Sequence, residues 1–129
     1  MKKIIFLDTN DILFLYNRII TEYGGLKGIR DLKLLDSAMV QPQLLYHYKK
    51  SDIYELAAAY CFSIIKNHPF VDGNKSTGLL AALVFLEKNG KANEYDLDSL
   101  YELAIGIADS SFNLDDITYY FKTSSLNKN

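Results

Sequence analysis

The residues best equipped for chemistry lie in one run, His68-Pro69-Phe70-Val71-Asp72-Gly73-Asn74-Lys75-Ser76-Thr77. His68 can accept a proton near neutral pH. Asp72 offers a hard oxygen ligand of the kind that holds Mg2+ beside a polyphosphate. Gly73, Asn74 and Lys75 open a helix, whose unpaired main-chain N–H groups and positive dipole end attract an anion. Glycine lets the backbone approach a phosphate closely, and Lys75 adds a point charge. Ser76 follows on the first helical turn with one neutral hydroxyl. A base, a metal ligand and a phosphate cradle this close together are what transfer from a nucleotide to a hydroxyl requires. Each residue taken alone has a plainer reading, as a loop histidine before proline or an Asp-Gly-Asn turn followed by a cap. Their coincidence just ahead of an apolar helix favours the chemical reading.

The run needs a rigid frame, and the flanking sequence supplies one. Upstream, Ile53, Leu56, Ala57, Tyr60, Cys61 and Ile64 recur at helical spacing, with Ser51 as the expected cap. Downstream, a helix is predicted from Gly73 to Asn89, with Gly90 at its C′ position. Its middle, from Gly78 to Leu86, is apolar on every side, as expected of a helix buried in a bundle. Residues 4–7 read as a short strand or an extended lead-in. Asp8 or Thr9 then caps a helix to about Glu22. The glycines at 24, 25 and 28 make residues 23–28 a loop. Asp31 caps a helix to about Val40, with Pro42 expected to end it or to start a turn. Asp96 caps a helix to about Asp109, and Asn113 caps a last one to about Lys122. The expectation is one all-α domain over residues 1–122, a compact bundle of about six helices with a central buried helix and at most one N-terminal strand. Residues 123–129 form a polar, fraying tail.

Composition removes several function classes. The chain has 129 residues, 49% of them apolar and 23% charged, which argues against disorder. Its 14 basic and 16 acidic residues give a formal charge of −2, unlike a general nucleic-acid binder. Residues 92–121 hold seven acids and neither Lys nor Arg. One cysteine, Cys61 among apolar neighbours, suits a reducing compartment and a buried role. The apolar run from Gly78 to Leu86 is about half of what a membrane span needs, so a soluble cytoplasmic protein is expected.

The segment from His68 to Lys75 resembles the signature of the Fic/Doc superfamily, His-Pro-Phe-x-Asp/Glu-Gly-Asn-Gly-Arg. Lys75 stands where Fic proteins have their second glycine, which is the pattern of the Doc (death-on-curing) toxin branch. Supporting similarity lies in Tyr23-Gly24-Gly25-Leu26-Lys27-Gly28-Ile29-Arg30-Asp31, in Leu34-Leu35-Asp36-Ser37-Ala38, in Gln41-Pro42-Gln43 and in Phe85-Leu86-Glu87-Lys88-Asn89-Gly90. The resemblance implies a compact helical toxin domain that binds ATP and Mg2+. Doc kinases phosphorylate a threonine of elongation factor Tu, whereas Fic enzymes proper transfer AMP. Carried over, His68 would deprotonate the target hydroxyl and Asp72 would hold Mg2+ or position the nucleotide. Gly73, Asn74, Lys75 and the helix turn bearing Ser76 would cradle phosphates, and Phe70 would anchor the loop. The glycine-rich loop would be the flap that aligns the target segment. A Phd-like antitoxin chain would supply inhibition, because the family's internal inhibitory motif is matched only in part, by residues 51–56.

One departure stands out. The family has arginine after Asn-Lys, and this chain has Ser76, so a fork of donors for the transferring phosphate is lost. Neither Arg18 nor Arg30, the two arginines, is an obvious substitute. Three readings follow: a sequence altered to detoxify it, a weakened natural variant, or a module that binds nucleotide without efficient transfer. A more distant rival is a PIN-domain ribonuclease, because residues 3–10 resemble its first strand. Asp8, Glu55, Asp96 and Asp115 would then bind metal, although no further buried strand runs are visible.

Overall fold

Five helices begin where a carboxylate or amide side chain accepts the main-chain N–H groups that a helix start leaves unpaired. Asp8 caps α1 (Thr9–Tyr23) in a reciprocal box with Asp11, and Asp31 caps α2 (Leu32–Lys49). Asp52 and Glu55 form the box of α3 (Ile53–Asn67). Asp96 caps α5 (Leu97–Ala108), and Asn113 with Asp116 boxes α6 (Leu114–Thr123). The remaining helix, α4 (Asn74–Lys88), starts at Gly73 with no side-chain cap. These positions come from a computed structural model that describes residues 3–126. Among those residues there is no β-strand, only two isolated antiparallel bridges, Ile29 with Phe70 and Tyr95 with Ser125. The all-α bundle of six helices is therefore as the sequence predicts.

The surrounded helix is α3, which packs on α2, α4, α5 and α6. Its run from Leu56 to Cys61 is buried without interruption. Gly78 is what lets α4 lie so close. A Cβ there would stand 2.8 Å from Ile65 Cγ1 and 3.2 Å from the Cys61 carbonyl oxygen. α4 itself is less enclosed than its composition suggests. Ala81, Ala82, Phe85 and Leu86 are buried, whereas Leu79, Leu80, Leu83 and Val84 are half-covered. The helix ends in a Schellman turn, with Lys91 N–H on Leu86 O at 2.8 Å and Gly90 N–H on Glu87 O at 3.2 Å.

Two further local expectations are corrected. First, α2 does not end at Pro42 but runs through it to Lys49. Leu35, Ala38, Met39 and Pro42 form one buried stripe that Leu45 and Tyr46 prolong onto the core, and this burial outweighs a single missing hydrogen bond. Second, the cap of α3 is Asp52 rather than Ser51. The Asp52 carboxylate reaches both Tyr54 N–H and Glu55 N–H, while Ser51 Oγ is buried without a partner among the described residues. Of the two readings of residues 4–7, the lead-in holds, for they pair with no strand among the described residues. Side chains replace the ladder: Asn89 bonds Ile5 N–H and C=O, and Tyr60 OH bonds Leu7 N–H and C=O. At the other end Leu126 N–H donates to Glu94 O at 2.7 Å. Of the tail expected at 123–129, residues 127–129 lie outside the described residues.

Candidate active site

The His68–Ser76 segment links α3 to α4, and its first half, from His68 to Val71, is held by main-chain hydrogen bonds. Phe70 is fully buried, its ring stacked on Tyr16 at 3.8 Å between centroids and 4° between planes. Asn74 is 5% exposed. Its Oδ1 accepts from Phe70 N–H at 3.0 Å, and its Nδ2 donates to Phe70 O at 2.9 Å. The Asn74 side chain is thus committed to closing the turn.

The glycine-rich loop lies against this segment. Arg30 N–H and Asp31 N–H donate to Pro69 O, and Val71 N–H donates to Gly28 O. Tyr16 OH accepts from Gly28 N–H at 2.7 Å. Leu26 N–H donates to Asp72 Oδ2 at 2.9 Å, so one carboxylate oxygen already has a partner.

The segment, together with α3 and α5, borders a pocket of about 240 Å³, lined by Ile65, His68, Asp72, Gly73, Asn74, Lys75, Ser76, Tyr101 and Ala108. The residues singled out from the sequence therefore meet in one place. His68 adopts a left-handed conformation, φ 52° and ψ 55°, at the C-cap of α3. For a non-glycine residue that costs about 1–3 kcal/mol and persists where the surroundings impose it. Its imidazole is exposed and has no hydrogen-bond partner among the described residues. Gly73, at φ 84°, turns the chain into α4, where a Cβ would press on Ile20 Cδ1 at 3.3 Å. The first amides of α4 thus reach the pocket unpaired, with the positive end of the helix dipole behind them. Lys75 is exposed and forms no ion pair among the described residues.

Neither arginine compensates for Ser76. Arg18 pairs with Glu22 on the exposed face of α1 at 3.3 Å. Arg30 donates from Nε to His68 O at 2.6 Å and from Nη2 to Asn67 O at 2.8 Å. Sequence reading missed these contacts of Arg30, and no local pattern signals partners 37 and 38 residues away. It missed Tyr101 as well, an α5 residue that lines the pocket without a motif of its own. Tyr101 and Ser76 also border an adjoining apolar groove of about 440 Å³, walled by Ile19, Tyr23, Leu79, Leu80, Leu83, Leu97 and Leu100.

The ribonuclease alternative is contradicted. Asp8 and Asp96 are helix caps, Glu55 completes the box of α3, and Asp115 lies in the first turn of α6. Among the described residues no group of three or more His, Cys, Asp or Glu able to hold a metal forms, and there is no parallel sheet to gather one. Burial pushes the Cys61 thiol up, which makes it unreactive.

Residues 6–86 match the Fic/DOC family. The chain is 29% identical over 112 residues to the protein kinase doc of Escherichia phage P1, covering 86% of this chain and 88% of that protein. It is 35% identical over 118 residues to toxin Doc of Mycolicibacterium smegmatis, with 87% of each chain covered. An all-α fold built around this loop, together with these matches, places the chain in the Fic/DOC family. Its similarity over most of its length is to Doc toxins. No described helix is long and apolar enough to cross a membrane.

Proposed function

We propose that this chain is a Doc-like toxin acting as a protein kinase in the cytoplasm. It would transfer the γ-phosphoryl group of ATP to a serine or threonine hydroxyl of a translation protein, with elongation factor Tu the expected target. The observation that carries the reading is the start of α4, which alone among the six helices has no side-chain cap. Its open amides face the pocket that also holds His68, Asp72 and Lys75. The relative from phage P1, named a protein kinase, supports the reaction class.

In this reading His68 takes the proton of the target hydroxyl as its oxygen attacks the γ-phosphorus. The bond from that phosphorus to the β–γ bridging oxygen breaks, and ADP leaves with the electron pair. The imidazolium then returns its proton to solvent. The α4 amides and Lys75 hold the phosphates in line, so positioning and electrostatics supply most of the acceleration. A lone carboxylate beside an anion pocket fits Mg2+, which takes few protein ligands and shares phosphate oxygens and waters. Asp72 would hold the ion, and when bound it neutralises charge on the β- and γ-phosphates.

An antitoxin chain, Phd-like, would cover the cleft and its apolar groove. Residues 51–56 cannot do so, since Asp52 and Glu55 are engaged at the far end of α3. Incubation with γ-labelled and α-labelled ATP in a bacterial extract tests the reading. A γ-labelled protein with release of ADP is expected. Transfer of the α-label would identify a Fic-type AMP transferase instead. A second reading, a nucleotide-binding module with attenuated transfer, is favoured by the absence of any guanidinium lining the pocket. ATP binding with neither label transferred would select it.

A further inference from the structure

We propose that Arg30 is a positioning residue for His68, its guanidinium fixing the backbone angles that present the imidazole to the pocket. The inference rests on the reading of His68 as the base. The two carbonyls that Arg30 grips, Asn67 O and His68 O, belong to the peptide planes on either side of the His68 Cα. The orientation of the first plane sets φ of His68, and that of the second sets ψ. A planar guanidinium holds its Nε and Nη2 donors at a constant spacing, so bonding both carbonyls fixes the two planes relative to each other. The outcome is the left-handed conformation observed, φ 52° and ψ 55°, which a residue with a Cβ disfavours when left alone.

The other bonds around this turn do not do the same work. His68 N–H on Ile64 O at 3.1 Å holds the first of these planes alone and does not reach the second. The Arg30 and Asp31 amides bond Pro69 O, one peptide further on. Asn67 Nδ2 bonds Leu34 O, which tethers the side chain of Asn67 rather than its peptide. The guanidinium has no carboxylate partner among the described residues, so its charge is directed wholly at the negative end of α3. Arg30 sits at the end of the glycine-rich loop, next to Ile29, which bridges Phe70. Docking of that loop and the geometry of the base are thereby coupled through one side chain.

The test compares Arg30→Gln, which keeps one short donor and no charge, with Arg30→Lys, which keeps the charge but not the fork. Phosphoryl transfer and the NMR signals of His68 are followed in both. Arg30→Gln is expected to lower kcat by at least about 10²-fold, the scale of a misplaced general base. KM for ATP should stay within about threefold of the unaltered protein, and Arg30→Lys should fall between. The backbone shifts of His68 should move from left-handed values towards an average, while amide signals of α5 and α6 remain in place. Unchanged kcat, or unchanged His68 backbone shifts in a folded Arg30→Gln protein, would overturn the proposal. Shifts that spread through α5 and α6 in both variants would also overturn it, by making Arg30 a general fold residue. If the unaltered protein transfers no phosphate, the kinase reading fails, and the NMR comparison still decides whether Arg30 sets the His68 backbone.

Discussion

His68 combines two tasks that usually fall to different residues. It ends α3 in a left-handed turn, where glycine is the common choice, and it presents an imidazole to the pocket. If that imidazole is the general base, His68→Ala should keep fold and ATP affinity while transfer falls about 10²–10⁴-fold. Isothermal titration with ATP and a labelled-phosphate assay separate the two quantities, and an undiminished transfer rate would reject the role. Ser76 is the complementary case. It lies on the exposed side of the first turn of α4 and borders both the pocket and the groove. A guanidinium there would strengthen its bonds as charge shifts on the transferring group. Ser76→Arg should raise transfer at least ~10²-fold, with a smaller change in ATP affinity. A folded, ATP-binding Ser76→Arg protein that is no faster would place the defect elsewhere.

Among the elements, contrast between helix starts carries the meaning. Where a cap is purely structural, a carboxylate or amide fills it. At the start of α4 Gly73 leaves the amides open instead, and Asn74 turns inwards to hold Phe70. Asp52 shows the structural kind. Burial pushes its carboxyl up, but the bonds from Lys122 and from the Glu55 and Tyr54 amides hold it below the usual value on balance. Its folded pKa is thus lower than its unfolded one, 3.8. The stability this supplies is present above that value and is lost as pH falls through the folded pKa. Asp52→Ala should cost about 0.5–2 kcal/mol at neutral pH. Its urea midpoint should also fall less steeply below pH 4 than that of the unaltered protein, and parallel acid profiles would sink the idea.

Over the whole molecule, the N-terminal segment is joined to the bundle by side chains rather than by a sheet. Tyr60, from the middle of α3, bonds both Leu7 N–H and Leu7 O at 2.8 and 3.1 Å. Burial is the main reason its hydroxyl is pushed up, with Asp11 and Asp8 adding to the effect. A raised folded pKa means stability that is complete below the unfolded value of about 10 and lost as pH rises towards the folded one. Tyr60→Phe leaves the buried Leu7 groups without partners and should destabilise the protein by about 1–3 kcal/mol. Thermal melts between pH 8 and 11 should show a flatter alkaline decline for Tyr60→Phe. An equal decline in both proteins would show that this hydroxyl is not what alkali attacks.

The helix starts and the loop are legible in the residues alone, because their causes are local. Asp31, Asp96 and Asn113 are readable as caps since a cap bonds amides only two or three residues away. The amphipathic stripe of α3 and the segment from His68 to Lys75 are equally short-range, and the structure gathers that segment at one pocket. Tertiary packing decided the rest. Pro42 lies inside a helix because burial of its neighbours exceeds one lost hydrogen bond, a balance that residue type alone does not reveal. Residues 4–7 are an apolar run that a strand could use, yet Tyr60 and Asn89 stand in for the missing partner from 53 and 84 positions away. The half-covered face of α4 and the inward turn of Asn74 depend on what lies opposite them. Arg30 could be read as a free cation until the fold brought it to the carbonyls of Asn67 and His68. Contacts of that kind follow from the closing of the whole chain, and nothing within a few residues of either partner encodes them.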